Sequence, residues 1–371
     1  MKIENSVILT IIIVILSLIV LMSLHELGHF VLAKKFGIIV EEFGIGYPPR
    51  IWGKKIKNTL YSINWLPLGA FVKILGEDDT KEKNPGSFAS KPLWQRALVL
   101  FGGVASFWII AFLIITILAG ISGVPTAVPD SFEGIGKETP KVQIFSVAKN
   151  SPAEMAGIKV GDEIKELGIR NQELGIETNK IDEIQQFIAS HKGEEILFSL
   201  KRGDDIIEVS SIPRVDPPEG EGALGVALVR AANIQVVWYK SPWVGLKITA
   251  LQTRDIPVQW YLLLEKKINK VPTPEVQLVG PIGLGQIMTQ ALGQGARNYL
   301  MMIAIISIYL AFFNLLPIPA LDGGRLLFIA IEAIQRKPVN PKVEQKITAI
   351  FFMALILMAI IFTFQDIRRL F

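Results

Sequence analysis

Half of the 371 residues are apolar, 19% are charged and the mean hydropathy is +0.43, a balance that points to a membrane protein. The absence of cysteine excludes disulfides, thiolate nucleophiles and thiolate-bound metals, leaving His, Asp and Glu as metal donors. The net charge of +4 is small, and the basic residues flank apolar runs instead of forming a stripe, which excludes a nucleic-acid track.

In chain order, four stretches are long enough to cross a bilayer, which takes about 20 residues. They run from Ser6 to Ala33, Ala97 to Ala119, Tyr299 to Leu321 and Ile347 to Gln365. The first carries no charge from Ser6 to Leu24 and then reads Leu24-His25-Glu26-Leu27-Gly28-His29-Phe30. Its apolar core is longer than the roughly 7 to 15 residues of a cleaved signal peptide. Ionisable side chains inside a bilayer cost roughly 2.5 to 3.5 kcal/mol each and mark function. His25 and His29 are four residues apart, so on a helix they share a face and reach one tetrahedral ion, with Glu26 beside them. At ~1.5 Å per residue, His25 stands roughly 13 Å from the Lys34-Lys35 pair, within the inner leaflet.

Ten Lys and Arg residues lie between Lys34 and Leu93. This places that loop in the cytoplasm, and both termini and the stretch from about 121 to 297 outside. Between Ile39 and Leu75, Gly44, Gly46, Pro48, Pro49, Pro67 and Gly69 break any helical period. Leu60 to Trp65 and Ala70 to Leu75 therefore read as strands of a hairpin. That hairpin either packs under the bundle or offers an edge to substrate as an added strand. Glu77 to Lys91 reads as a solvated loop. In the second span Phe101-Gly102-Gly103-Val104-Ala105-Ser106 allows close helix packing, and Ser106 could turn its hydroxyl to the site.

From 141 to 214 the composition becomes that of a small soluble α+β domain. Ser151-Pro152-Ala153, Ala156-Gly157, Gly161-Asp162, a helix from Ile181 to Ser190 and strands from Ile196 to Lys201 and Ile206 to Ile212 resemble a circularly permuted bacterial PDZ domain. His191 reads as a surface residue. Trp238 to Ile268 suits an amphipathic helix on the membrane surface or a helix packed on a neighbouring domain. The third span ends in Asn314-Leu315-Leu316-Pro317-Ile318-Pro319-Ala320-Leu321-Asp322-Gly323-Gly324-Arg325. Its prolines prevent a regular helix, and Gly323 and Gly324 permit close approach or positive φ. Asp322 lies at the depth of His25 and His29 and is the best third ligand. Asn314 either donates its amide to a substrate carbonyl or bonds a neighbouring helix. Zinc is the favoured ion, and Glu26 the group that takes a proton from water and passes it to the leaving amine.

His25-Glu26-Leu27-Gly28-His29, the segment from Asn314 to Gly324 and the PDZ-like region between them resemble the site-2 protease family, close to its regulator of sigma-E protease group. The resemblance covers nearly the whole chain and implies an intramembrane zinc metalloprotease that cuts a membrane-spanning substrate already trimmed outside. It implies metal ligands His25, His29 and Asp322 and catalytic Glu26. It also implies a membrane-associated β-hairpin at 39–75, where Pro67-Leu68-Gly69-Ala70-Phe71-Val72 matches the family's Pro-Leu-Gly-Gly-Tyr-Val run. Gly69, Phe71, Asn314 and Pro317 are the expected substrate-binding residues. Gly102-Gly103-Val104-Ala105-Ser106 departs from the family's Gly-Pro and terminal Asn, and one PDZ-like domain stands where the best-known members carry two.

The expected architecture is thus a multi-pass, mainly α-helical four-span core with a β-hairpin and an extracytoplasmic α+β PDZ-like domain. Its parts are 1–140 (spans 1 and 2), 141–214 (PDZ-like), 215–296 (connector with the amphipathic helix) and 297–371 (spans 3 and 4). The expected setting is a bacterial inner membrane with the site toward the cytoplasmic leaflet. The expected partners are the lipid, a membrane-spanning substrate and an extracytoplasmic peptide or C-terminus at the PDZ-like domain. The competing expectation is a catalytically silent PDZ scaffold or chaperone with a structural metal. A metal transporter is disfavoured by the scarcity of acidic residues near the spans.

Overall fold

A computed structural model describes residues 2–77, 84–131, 139–169, 176–177, 179–203, 205–218, 220–268 and 279–370. The apolar N-terminal run has no proline and forms one helix, α1 (Lys2–Lys35), because in lipid every backbone polar group must be satisfied within the segment. Ser17 and Ser23 donate their hydroxyls to the carbonyls of Ile13 and Ile19, at 2.8 and 2.7 Å, so the helix exposes no unmet donor there.

The Gly- and Pro-rich stretch forms two long bent strands, β1 (Val40–Ile56) and β2 (Thr59–Ile74). The expected runs at 60–65 and 70–75 are the two arms of β2. Residues 42–45 of β1 pair with residues 70–73 on one side and residues 60–63 on the other, while residues 50–56 pair with residues 59–64. The pair curls into a sheet whose two edges are residues 50–56 and 70–74. Of the expected loop from Glu77 to Lys91, residues 78–83 lie outside the described residues. Residues 84–91 make turns, with the Ser87 N–H donating to the Asn84 carbonyl at 2.8 Å.

Helix α2 (Leu93–Ile121) crosses α1 glycine against glycine. A Cβ on Gly28 would collide with the Gly102 carbonyl, and one on Gly102 would meet Leu32 and the Gly28 carbonyl. Small residues thus let the two backbones touch. Ser106 does not turn toward the site; its hydroxyl donates to the Gly103 carbonyl at 2.6 Å.

After α2 the chain enters a sheet of β3 (Val124–Ala127), β4 (Lys141–Val147), β5 (Glu163–Ile169), β6 (Ile176–Glu177), β7 (Ile196–Arg202), β8 (Asp205–Ser211) and β9 (Val226–Ile234). Its order is β3-β9-β4-β5-β7-β8, with β6 on β5. Two helices accompany it, α3 (Pro152–Met155), with Ser151 capping the Glu154 N–H at 3.2 Å, and α4 (Ile181–Ser190). The buried core is Val142, Ile144, Leu167, Ile184, Phe198, Leu200 and their neighbours. The sheet runs beyond the expected 141–214 limits, because β9 pairs along β4 and β3 pairs along β9. Both leads to this unit are clamped at the end of α2. Gln235 Nε2 donates to the carbonyls of Gly120 and Ile121, at 3.2 and 3.0 Å, and the Val236 N–H to Ala119 at 3.0 Å.

Helix α5 (Ser241–Ile268) returns along α2, the packed one of the two arrangements expected for this stretch. Its buried stripe is Ser241, Gly245, Thr249 and Ile256. A Cβ on Gly245 would collide with Thr116, and Trp108 donates its indole N–H to Thr253 at 3.2 Å. The spacing of four and the small side chains mark a packing seam; Trp243 and Tyr261 remain exposed, and Trp260 meets the Phe313 ring edge to face.

The last elements are α6 (Pro281–Gly293), α7 (Ala296–Leu315), α8 (Asp322–Gln335) and α9 (Pro341–Leu370). The Asp366 carboxylate of α9 accepts from the N–H groups of Gly280 and Gly283, at 3.2 and 2.8 Å, at the start of α6. Among the described residues, four helices are long and apolar enough to cross a membrane: Leu9–Lys35, Leu93–Ile121, Ala296–Leu315 and Pro341–Arg368. The third ends at Leu315, short of the expected Leu321, and Asp322 opens a separate helix. The protein is a membrane protein with a curled β-sheet at its side.

The Gly28 contact yields a test. Gly28→Ala should destabilise the protein by roughly 1 to 3 kcal/mol through overpacking, read as a lower melting temperature in detergent. Gly285→Ala, whose Cβ would meet nothing within 4 Å, should not.

Candidate metal centre

Three side chains from opposite ends of the chain meet at one point. On α1, His25 and His29 are one turn apart and present Nε2 atoms separated by 3.4 Å. The first residue of α8, Asp322, brings Oδ2 to 3.4 Å from each of them. An ideal tetrahedron with metal–ligand bonds of ~2.05 Å has vertices about 3.35 Å apart. The three atoms are therefore spaced as one face of such a tetrahedron, a donor set that would suit zinc. His25 and His29 are each 5% exposed. Asp322 Oδ2 is buried and faces the two imidazole Nε2 atoms at 3.4 Å, a set of electron-pair donors that a cation between them would satisfy. Among the described residues this is the one His, Asp and Glu group with ligand atoms so close.

The neighbours hold these three side chains in place. His29 Nδ1 bonds the Val99 carbonyl at 3.0 Å, which fixes the tautomer that leaves Nε2 as an electron-pair donor. A Cβ on Gly103 would collide with the His29 ring, so α2 carries glycine where the imidazole needs room. His25 stacks on Phe107 with centroids 4.5 Å apart and planes 11° from parallel. Asp322 is positioned by close approach of α8 to the Pro-containing loop before it. Side chains at Gly323 and Gly324 would strike the carbonyls of Leu315, Leu316 and Ile318, and neither glycine has a positive φ. One turn later, Arg325 pairs with Glu77 just past the end of β2.

A cleft of about 730 Å³ opens onto the centre. Its walls include Glu26, His29 and Asp322 and the strand edge from Phe71 to Glu77. Glu26 accepts a hydrogen bond from the Val72 backbone N–H, so the carboxylate beside the ligands is tied to the sheet edge. Of the expected substrate-binding residues, Phe71 and Asn314 line this cleft, and Gly69 and Pro317 do not. Asn314 Nδ2 donates to the Leu310 carbonyl at 2.9 Å, which commits one of its two amide protons to its own helix. His191 caps α4, with Nδ1 2.9 Å from the Phe187 carbonyl.

The sequence reading missed Tyr47, Glu77 and Arg325 as cleft residues. Arg325 carried a signal, since three residues past Asp322 on a helix is the same face. Tyr47 carried none, because its place depends on how β1 and β2 curl. Burial first, then the Glu26 carboxylate, push its phenol above its ordinary pKa.

The model of peptidase family M50 matches residues 13–358. A putative zinc metalloprotease of Clostridium perfringens is 32% identical over 350 residues, covering 94% of this chain and 95% of the relative. One of Clostridium acetobutylicum is 32% identical over 358 residues, covering 96% and 97%. The regulator of sigma-W protease RasP of Bacillus subtilis is 27% identical over 438 residues, covering 95% and 96%.

Loss of a ligand should exceed the loss seen when only a supporting group is removed. Asp322→Ala and His29→Ala should each weaken zinc binding by more than about 100-fold, measured by competition with a chelating dye. A chelator should lower the melting temperature of the parent and leave that of Asp322→Ala unchanged.

Proposed function

Because this chain belongs to peptidase family M50, we propose that it is a zinc-dependent intramembrane protease. Its substrate is a membrane protein already shortened outside, such as an anti-sigma factor or a signal-peptide remnant, cut within or near its transmembrane segment. The observation that carries this reading is the 3.4 Å triangle of His25, His29 and Asp322 with Glu26 on the same cleft wall. A silent scaffold with a structural metal has no need for a carboxylate beside an open cleft.

His25, His29 and Asp322 would hold the zinc, which when bound would supply a Lewis acid for the scissile carbonyl and for water near neutral pH. The remaining work falls to the protein. Glu26 takes the proton from the attacking water and delivers it to the amide nitrogen as the C–N bond breaks. A helical substrate keeps its peptide groups in its own hydrogen bonds, so it must be unwound before attack. The edge of β2 at residues 70–74 supports the idea that the opened segment docks as an added strand, which replaces the lost bonds and holds the chain extended. Phe71, on that edge, offers an aromatic surface for its side chains.

The sheet and helices between β4 and β9 support the reading of a PDZ-like domain. Between α4 and β9 lies a groove of about 330 Å³ lined by Gln185, Ile188, Lys192, Ala223, Val226 and Leu228. A peptide or C-terminus on the outer side of the membrane fits such a groove. The count of Lys and Arg in the loops supports both termini outside and the metal centre toward the cytoplasmic leaflet.

Glu26→Gln is the decisive variant. It should abolish cleavage of a membrane-spanning test substrate in reconstituted vesicles while zinc stays stoichiometric by metal analysis. Undiminished cleavage by that variant would sink the assignment.

A further inference from the structure

Tyr47 sits at the bend of β1, after Gly46 with φ of 76° and before two prolines. Its ring stacks on Phe71 with centroids 5.8 Å apart and planes 28° from parallel, and it lines the cleft with Glu26, His29, Asp322 and Asn314. The stack fixes the ring against the edge where substrate would dock. It is 44% exposed, and among the described residues its phenol O–H has no hydrogen-bond partner. The phenol senses the Glu26 charge, which places it in the neighbourhood of the base, yet the two are not bonded.

The other side-chain donors of the cleft are engaged. Asn314 gives one amide proton to Leu310, Arg325 is paired with Glu77, Lys73 lies 2.7 Å from Glu41, and His29 Nδ1 is bonded to Val99. Tyr47 is the one among these side chains whose donor has no protein partner among the described residues, and it stands on the same cleft wall as Glu26. A peptide held along residues 70–74 would run beside the Phe71 ring on which Tyr47 stacks, in the cleft that His29 and Asp322 also line.

We propose that the Tyr47 phenol donates a hydrogen bond to the carbonyl oxygen of the scissile peptide as that oxygen gains negative charge. This deepens the protease reading of the same cleft and rests on it. The phenol keeps its proton throughout, while Glu26 carries the proton that moves. A donor aimed at developing charge strengthens its bond on the way to the transition state and so acts on kcat more than on binding.

The test is cleavage of a membrane-spanning substrate in vesicles by the zinc-loaded parent, Tyr47→Phe and Tyr47→Ala. Tyr47→Phe keeps the stacked ring and removes one oxygen. Its kcat should fall by roughly 10- to 100-fold, below the full oxyanion-hole range because the donor is half exposed, with KM and zinc content unchanged. Tyr47→Ala, which also removes the stack on Phe71, should in addition raise KM. A second readout does not use turnover: p-benzoylphenylalanine at position 47 in the Glu26→Gln background should cross-link to substrate within one or two residues of the scissile bond. Parental kcat in Tyr47→Phe, or a change in KM alone, would overturn the proposal, as would cross-links only far from that bond. Failure of the protease reading looks different, since then the parent itself would not cleave.

Discussion

Everything in the membrane core answers to one electrostatic constraint. Two imidazoles and a carboxylate from residues 25, 29 and 322 must converge in a place where uncompensated polar groups are costly. The convergence forces α1 and α2 into backbone contact, since the His29 ring fills the space left by Gly103. It also forces the chain after α7 to stop, turn through Pro317 and Pro319, and restart at Asp322, with two glycines absorbing the tight return. A regular span through this region would carry the carboxylate past the imidazoles. The broken backbone is tolerated because it lines a cleft and packs on protein.

How far the sequence displays this design varies with the range of the interactions. His25 and His29 were legible because both lie on one helix with an apolar run before it, so spacing alone aligns them. Asp322 was legible through depth and elimination, though its helix was not: the prolines announced a break without showing that a new helix begins at the carboxylate. Helix α5 shows a different limit. Ser241, Gly245 and Thr249 repeat every four residues, but Trp243, Leu246 and Tyr261, all exposed, dominate the hydropathy pattern and conceal that small-residue seam. The reach of β9 onto β4 and β3 is pairing across dozens of residues, and no local pattern encodes it.

The curled sheet combines two roles that simple hairpins keep apart. Its edge at residues 70–74 is held toward the metal centre by the Val72 bond to Glu26 and by the Arg325 pair with Glu77. The bend at Gly46 and Pro48 turns Tyr47 back over Phe71. The strand edge and Glu26 are therefore parts of one connected piece, and a shift of either is felt by both. A long, exposed strand edge is ordinarily an invitation to aggregation. Here its position beside a recessed cleft restricts which chains can reach it.

The clamp at the top of α2 bears on mechanics. The polypeptide leaves α2 into β3 and returns through β9, and Gln235 and Val236 bond the last carbonyls of the same helix. Gln294, at the turn between α6 and α7, adds a contact to the Val160 carbonyl at 3.3 Å. A module attached by both leads at one helix end has no slack tether. A force applied to it is delivered to α2, the helix whose Gly103 seats the His29 ring, so the module and the His29 environment are mechanically joined through one helix.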